Sequence, residues 1–520
     1  MLAVNPFSSH VAARIFDFFN AATQWHRRLW CVGVSLTIAE VLEGSEATRQ
    51  GLLSMDSLRA LSGSAMAAAG VDPGTGGTSQ KQLLQQAMRP DLRFSGLDYL
   101  TVRDLQGDIE AHYLERWAST LNNTQSCPGP ERTARSIAAH LLDLGFSSDY
   151  LHRWWTYKVK HEGGSRNLHD LVSDAHQLAT SPKPKFEVLL AFEEIPRTKE
   201  LPPRWLDAPS VSGWLRKQGF ETSGVRQKGG MLVTEEARDA ISAIEAAQET
   251  LDRLAARVAL GVRGNFKPVD TAWVAGGKSP IKISPRRRAI QIHSLHREDQ
   301  IYSDAEPSKV DAAIELLAPL AFSSPSAAVS GGWAAVEALL SEPNDRASAA
   351  SRMASLVACS FPRAELTPLS YKLEEAGGPL SARLHGLTKN RDRCELVAAA
   401  IANGDQLSFD DDSDTAALGR LRTLLAAPHI KLKDIESHLE AAFRRLYRQR
   451  NLVLHGGKTS AVALRACVRT IAPLVGAGMD RIAHAWFVEK ITPLELAARA
   501  RIRLSLLEEK DGIKSVDLLS

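Results

Sequence analysis

Cysteine is scarce in this chain. Five residues, Cys31, Cys127, Cys359, Cys394 and Cys467, are scattered over 520 positions, odd in number and without a CxxC pair. That argues against a disulfide framework or a thiolate zinc site and fits a reducing compartment. Net charge is also lacking: 63 basic and 60 acidic residues leave a formal +3, so any electrostatic footprint for nucleic acid must be local. Long apolar runs are missing too. The best candidate, "RRLWCVGVSLTIAEVL" over 27–42, places basic residues ahead of an apolar stretch shorter than the ~20 residues a spanning helix needs. It reads as a buried helix continuing from "HVAARIFDFFNAATQW", which makes a cytoplasmic protein without membrane contact the expectation. Two ligand loops are absent as well. "GVDPGTGGTSQKQ" (70–82) has no Gly-Lys-Ser/Thr ending to reach phosphate and magnesium, and reads as a surface loop. The run Asp410, Asp411, Asp412, Asp414 lacks the glycine and distal glutamate of a calcium loop, and reads as solvated. His293 and His296 have no acidic or cysteine companions at ligand spacing, so neither a metal nor another cofactor is expected.

What is present is a soluble globular composition, 44% hydrophobic and 24% charged, in a chain long enough for several domains. Residues 1–180 read as mostly helical. Within them "SIAAHLLDLGFSSDYLHRWW" (136–155) forms two helices about a turn, with Gly145 in the left-handed position and Ser148 capping the second. The pair resembles a DNA-reading helix-turn-helix in outline, but Trp154 and Trp155 suit packing better. From 183 the texture changes. A strand from Phe186 to Phe192, a helix over 210–218, the strand "GGMLVT", a helix over 235–260 and the strand-like pieces "TAWVAGG", "PIKIS" and "RAIQIHSL" make 183–300 a small α+β unit. It carries a basic strip, Arg263, Lys267, Lys278, Lys282, Arg286, Arg287, Arg288 and Arg297. Lys282 and Arg286 to Arg288 are its candidate nucleic-acid contacts, while protection of sheet edges accounts for the same charges.

Beyond the linker "HREDQIYSDAEP" everything reads as helix, which makes 305–510 a helical domain. Ser308 and Asp311 suit a capping exchange, and Thr492, Pro493 and Glu495 suit another helix start. Helices are expected at 326–341, 345–361, 393–402, 414–427, 432–455, 460–489 and 493–510. The fold class is therefore predominantly helical α+β, an N-terminal helical and small-sheet region followed by an all-α bundle.

One stretch stands out, "LYRQRNLVLHGG" at 446–457. Asn451 and His455 are four apart and share a helix face, whereas Arg450 lies about 140° round the helix from His455. The Gly456-Gly457 pair ends the helix and puts His455 in its final turn. A histidine beside an arginine suits phosphodiester chemistry: the imidazole moves protons and the guanidinium braces charge gathering on phosphorus. One helix alone should present this pair poorly, and two helices facing across a two-fold axis should line one cleft. Similar spacings recur at Arg135 to His140 in a helix, Arg288 to His293 in a strand, and Arg422 to His429 across Pro428. Those three read as structural coincidences.

The stretch resembles the signature helix of the HEPN superfamily, Arg, a polar residue, three more, then His. The flanking Leu-Tyr and Gly-Gly are similar to the ApeA-like HEPN branch of bacterial anti-phage proteins. "GGWAAVEALLS" (331–341) is similar to that branch's Trp-x-x-x-Glu-x-Leu-Leu helix, and "ASRMASLVA" (350–358) to the Arg-containing helix after it. The resemblance spans about 305–500. It implies a metal-independent endoribonuclease, active as a homodimer, that cuts RNA by 2′-hydroxyl attack and leaves 2′,3′-cyclic phosphate ends. It implies that Arg450 and His455 are the catalytic pair, Asn451 the polar residue beside the arginine, and Glu337 an orienting carboxylate. The role implied is abortive infection, with a phage-derived or regulatory trigger acting through residues 1–300. The alternative is a non-catalytic HEPN-like module that dimerises or binds RNA or a partner.

Overall fold

The computed structural model describes residues 5–123, 127–160, 167–195, 202–222, 224–261, 264–283, 288, 290–304, 306–343, 345 and 347–519. Helices dominate, with one small antiparallel sheet, so the helical α+β class holds. The chain divides into two units, 141–155 with 177–287, and 1–140 with 156–176 and 288–520. The division read from sequence thus differs in three respects: residues 1–140 and 156–176 share a compact unit with the C-terminal helices, 141–155 belong with the sheet, and 288–300 belong with the larger unit.

In the smaller unit five strands run in the order β2 (Trp205–Asp207), β3 (Gly229–Glu236), β1 (Lys185–Glu194), β4 (Lys267–Val274), β5 (Ile281–Lys282). Val188, Leu190 and Phe192 of β1 join Ile244, Ala247 and Leu251 of helix Ala240–Gly261 on one face. Leu189 and Ala191 meet Val211 and Leu215 of helix Ala208–Lys217 on the other. Burial on both faces is why this strand reads as a continuous apolar run rather than an alternating one. Ahead of the sheet, Gly145 takes φ 95° as expected. The cap, however, is Ser147, whose Oγ accepts from the Tyr150 amide at 3.2 Å.

The larger unit has one continuous apolar core. Lys309–Phe322 and Pro325–Leu340 form a close helical hairpin in which a Cβ at Gly331 would come 2.5 Å from the Leu316 carbonyl. Gly331 is needed because the two backbones touch there, and a Cβ at Gly332 would press on the Leu320 side chain at 3.0 Å. Around them pack Ser348–Glu375, Pro428–Leu454, Leu464–His484 and Pro493–Ser505. Ser348–Glu375 outruns its expected end, passing through Pro362 and Pro368. Leu366, Leu369 and Leu373 keep its apolar stripe in the core, and that burial outweighs the amides the prolines lack.

Four expectations are corrected in this unit. Residues 10–42 are not one helix: Pro6–Phe19 ends at Asn20, a 3-10 turn spans Trp25–Arg27, and Val34–Arg49 begins after Gly33. "RAIQIHSL" is not a strand. Ile290 and Ile292 pack on the helical core, and His293–Arg297 is a short helix. The 70–82 loop is not a plain surface loop, because buried Asp72 accepts hydrogen bonds from Tyr113 Oη at 2.7 Å, Trp117 Nε1 at 3.0 Å and Ser136 Oγ at 3.1 Å. Nor is the acidic run wholly solvated, since Asp414 is buried against Arg27 and Lys372. No helix among the described residues is long and apolar enough to cross a membrane.

Candidate active site

The Pro428–Leu454 helix owes its position to a stripe of Leu432, Leu439, Ala442, Phe443, Leu446 and Leu452, all buried in the core. Its C-terminal end is a different environment. The His455 amide still donates to the Asn451 carbonyl at 3.0 Å, so the helical path runs through the histidine before Gly457 turns the chain at φ 60°. His455 is exposed, Arg450 half-buried and Asn451 7% exposed.

These three side chains meet. Arg450 Nη1 donates to Asn451 Oδ1 at 2.9 Å and lies 3.3 Å from His455 Nε2. A guanidinium only donates, so the second contact is a hydrogen bond when Nε2 holds its lone pair and the ring proton sits on Nδ1. The expectation that one helix presents the pair poorly is therefore corrected. The long arginine side chain wraps round the last turn and closes the angular gap in a single protomer. The buried Asn451 side chain accepts from the same nitrogen and fixes it there.

The neighbouring arginines have other partners. Arg444 is bound to Glu440 one turn earlier at 2.6 Å. Arg445 and Arg448 are buried and grip Glu40, with Nε to Oε2 at 2.8 Å and Nη2 to Oε1 at 3.5 Å. Glu40 belongs to Val34–Arg49, which lies along this end of the motif helix. Farther along it, Glu43 accepts from the Val462 amide at 3.3 Å and Glu46 pairs with Lys458 at 3.2 Å, so the segment leaving His455 is held at two points. Burial pushes the Glu43 carboxyl up to about 7, against the Val462 hydrogen bond and Lys458. Sequence reading passed over this N-terminal support, and its only signal was three glutamates at helical spacing on an apolar helix.

Glu337 is half-buried on Pro325–Leu340, one turn after Trp333, whose ring centroid is 5.0 Å from that of Tyr447. That aromatic contact sets its helix against the motif helix. The Arg-containing resemblance helix behaves otherwise: Arg352 donates to the Leu340 carbonyl and to Glu342, both at 2.6 Å.

The basic strip does not act as one set. Arg263, Arg286 and Arg287 lie outside the described residues. Lys282 is exposed on β5 in the smaller unit, and Lys267 is paired with Glu193. Arg288, in the larger unit, donates to the carbonyls of Leu320 at 2.9 Å and Ser323 at 2.7 Å, closing the end of Lys309–Phe322. Among the described residues no group of three or more His, Cys, Asp or Glu side chains is placed to hold a metal ion. Compared with family models, curated proteins and solved structures, the chain matches none.

Proposed function

We propose that the chain is an endoribonuclease of HEPN type, built around Arg450 and His455. The observation that carries this reading is the contact of 3.3 Å between Arg450 Nη1 and His455 Nε2 at a solvent-facing helix end. In the resting site the guanidinium covers the lone pair of the base. A phosphodiester entering the site draws the guanidinium to its oxygens, because charge-assisted bonds to phosphate exceed one to a neutral ring. Nε2 is then free to take the ribose 2′-hydroxyl proton. The 2′-oxygen bonds to phosphorus, the bond to the 5′-oxygen breaks, and an imidazolium returns a proton to that oxygen. The products are a 2′,3′-cyclic phosphate and a 5′-hydroxyl. A second copy, related by a two-fold axis, supplies the second imidazole and completes the cleft. Defence against phage by cleavage of RNA is the biological role that fits.

The experiment is incubation of purified full-length protein with total cell RNA in the presence of a chelator, with the ends mapped. His455→Ala and Arg450→Ala are each expected to lower cleavage by about 10²–10⁴-fold, the usual worth of a positioned proton-transfer group. Cleavage that survives His455→Ala would leave only the binding-module alternative.

A further inference from the structure

A second site lies in the larger unit, and it does not depend on the nuclease reading. A cavity of about 930 Å³ opens between the Trp25–Arg27 turn, the His293–Arg297 helix, and the helices Ser348–Glu375 and Leu464–His484. That is the upper part of the range for small-molecule sites. Four arginines line it, Arg28, Arg297, Arg363 and Arg481, with Asp480 the acidic group among the lining residues. Asp480 is already engaged by the Ser294 amide at 2.7 Å and hydroxyl at 2.9 Å.

Each arginine is held in place, Arg297, Arg363 and Arg481 by a carboxylate and Arg28 by backbone carbonyls. Arg28 Nε donates to the Thr23 carbonyl at 2.6 Å, and a second nitrogen donates to the Ala21 carbonyl. Arg297 is held by Glu298 at 2.9 Å and Ser294 Oγ at 3.0 Å. Arg363 reaches Asp517 at 3.0 Å, and Arg481 reaches Glu489 at 3.1 Å and the Leu519 carbonyl at 2.6 Å. Each guanidinium has five N–H donors, and these bonds fix its plane while others remain.

An independent sign of a missing partner comes from His26. It lines the cavity at 3% exposure, and neither ring nitrogen has a hydrogen-bond partner among the described residues. Arg481 Nε is buried in the same unsatisfied state. Buried polar atoms are nearly always paired, so two such residues on one polar cavity mark a place where a ligand supplies the partners. Beside His26, Trp25 offers a half-buried indole to the same space. We infer that this cavity binds a small phosphorylated molecule of about nucleotide size, with phosphate held by the arginines and a planar, hydrogen-bonding part set against Trp25 and His26.

The test uses the full chain with inorganic phosphate, pyrophosphate, ATP and adenosine, in equilibrium dialysis and thermal unfolding. ATP or pyrophosphate at about 1 mM is expected to raise the unfolding midpoint, whereas adenosine leaves it unchanged. ATP binding more strongly than pyrophosphate supports the inference; equal affinities would overturn the place given to a planar part against Trp25 and His26. Arg297→Gln with Arg363→Gln, both partly exposed side chains, is expected to weaken binding by about tenfold or more, as loss of charge-assisted bonds does. His26→Phe keeps a planar aromatic ring but removes both nitrogens, and is expected to weaken ATP more than pyrophosphate. If none of the phosphorylated compounds binds the wild-type chain, or the arginine pair leaves binding unchanged, the inference fails.

Discussion

At the residue scale, four arginines in seven positions, 444, 445, 448 and 450, have three different tasks. Arg444 makes a surface pair, Arg445 and Arg448 clamp a buried glutamate, and Arg450 turns to the histidine. Sequence spacing singled out Arg450 and His455 correctly as neighbours along the helix, but angular arithmetic placed them too far apart. It took Cα directions for side-chain reach, and a guanidinium swings through several ångströms. The partner of Arg445 lies 405 positions away, so no local pattern revealed why it is unavailable for chemistry. Asn451 is the residue whose role is sharpest here. Its Oδ1 is the fixed acceptor that holds the Arg450 guanidinium over the imidazole. Under the nuclease reading, Asn451→Ala is expected to reduce kcat for RNA cleavage by about tenfold, roughly 1.4 kcal/mol, with KM little changed. Asn451→Asp keeps the acceptor and is expected to retain more activity than the alanine variant. Equal losses in both would mean that burial of the amide, and not its hold on the guanidinium, matters.

At the element scale, two helix starts read from sequence recur in the structure, while the cap expected at Ser148 falls one residue earlier, at Ser147. Ser308 and Asp311 form the reciprocal cap foreseen from their spacing: Ser308 Oγ accepts from the Asp311 amide at 3.3 Å, and Asp311 Oδ2 accepts from the Ser308 amide at 2.8 Å. Thr492 Oγ1 likewise accepts from the Glu495 amide at 3.3 Å. Both caps are self-contained within four residues, which is why they were legible. "RAIQIHSL" was not, because alternation of Ile290 with Gln291 and Ile292 with His293 reports a two-sided segment and says nothing of what lies on either side. Here the apolar side meets helices. The same limit hid the contact between Val34–Arg49 and the motif helix. Ser308→Ala is expected to cost about 1 kcal/mol, the usual value for losing a side-chain cap. Urea denaturation of the two proteins side by side measures it, and a midpoint unchanged within error would mean that the hairpin partner alone fixes this helix start.

At the scale of the whole molecule, a largely buried ion network ties the N-terminal helices of the larger unit to its C-terminal ones. Arg14 pairs with Asp17 at 2.6 Å and Glu131 at 3.0 Å, and His10 also reaches Glu131, at 2.8 Å. Arg420 bridges Glu131 at 3.1 Å to Glu365 at 2.7 Å, and Arg27 continues from Glu365 at 3.4 Å to Asp414 at 2.8 Å. Burial opposes ionisation of Glu131 and Glu365, but the surrounding arginines outweigh it. They hold Glu131 well below the usual carboxylate range and Glu365 below it. Such a depressed carboxylate contributes stability that is present above the unfolded value, 4.5, and lost as pH falls through the folded one. His26 adds to the same limb: burial lowers it to about 3, so its contribution fades as pH drops below about 6.5. Glu43 acts in the opposite direction. Its folded value, about 7, exceeds the unfolded 4.5, so the folded chain keeps a proton the unfolded chain gives up, and stability falls as pH rises from 4.5 to 7. The penalty is complete above that window, on the order of 3 kcal/mol. Glu43→Gln removes it while keeping a carbonyl for the Val462 amide. The variant is expected to unfold at higher urea than the wild type at alkaline pH, with the gap closing toward pH 4.5. A gap of equal size at both ends of the pH range would show that the glutamate is destabilising for steric reasons and that its proton plays no part.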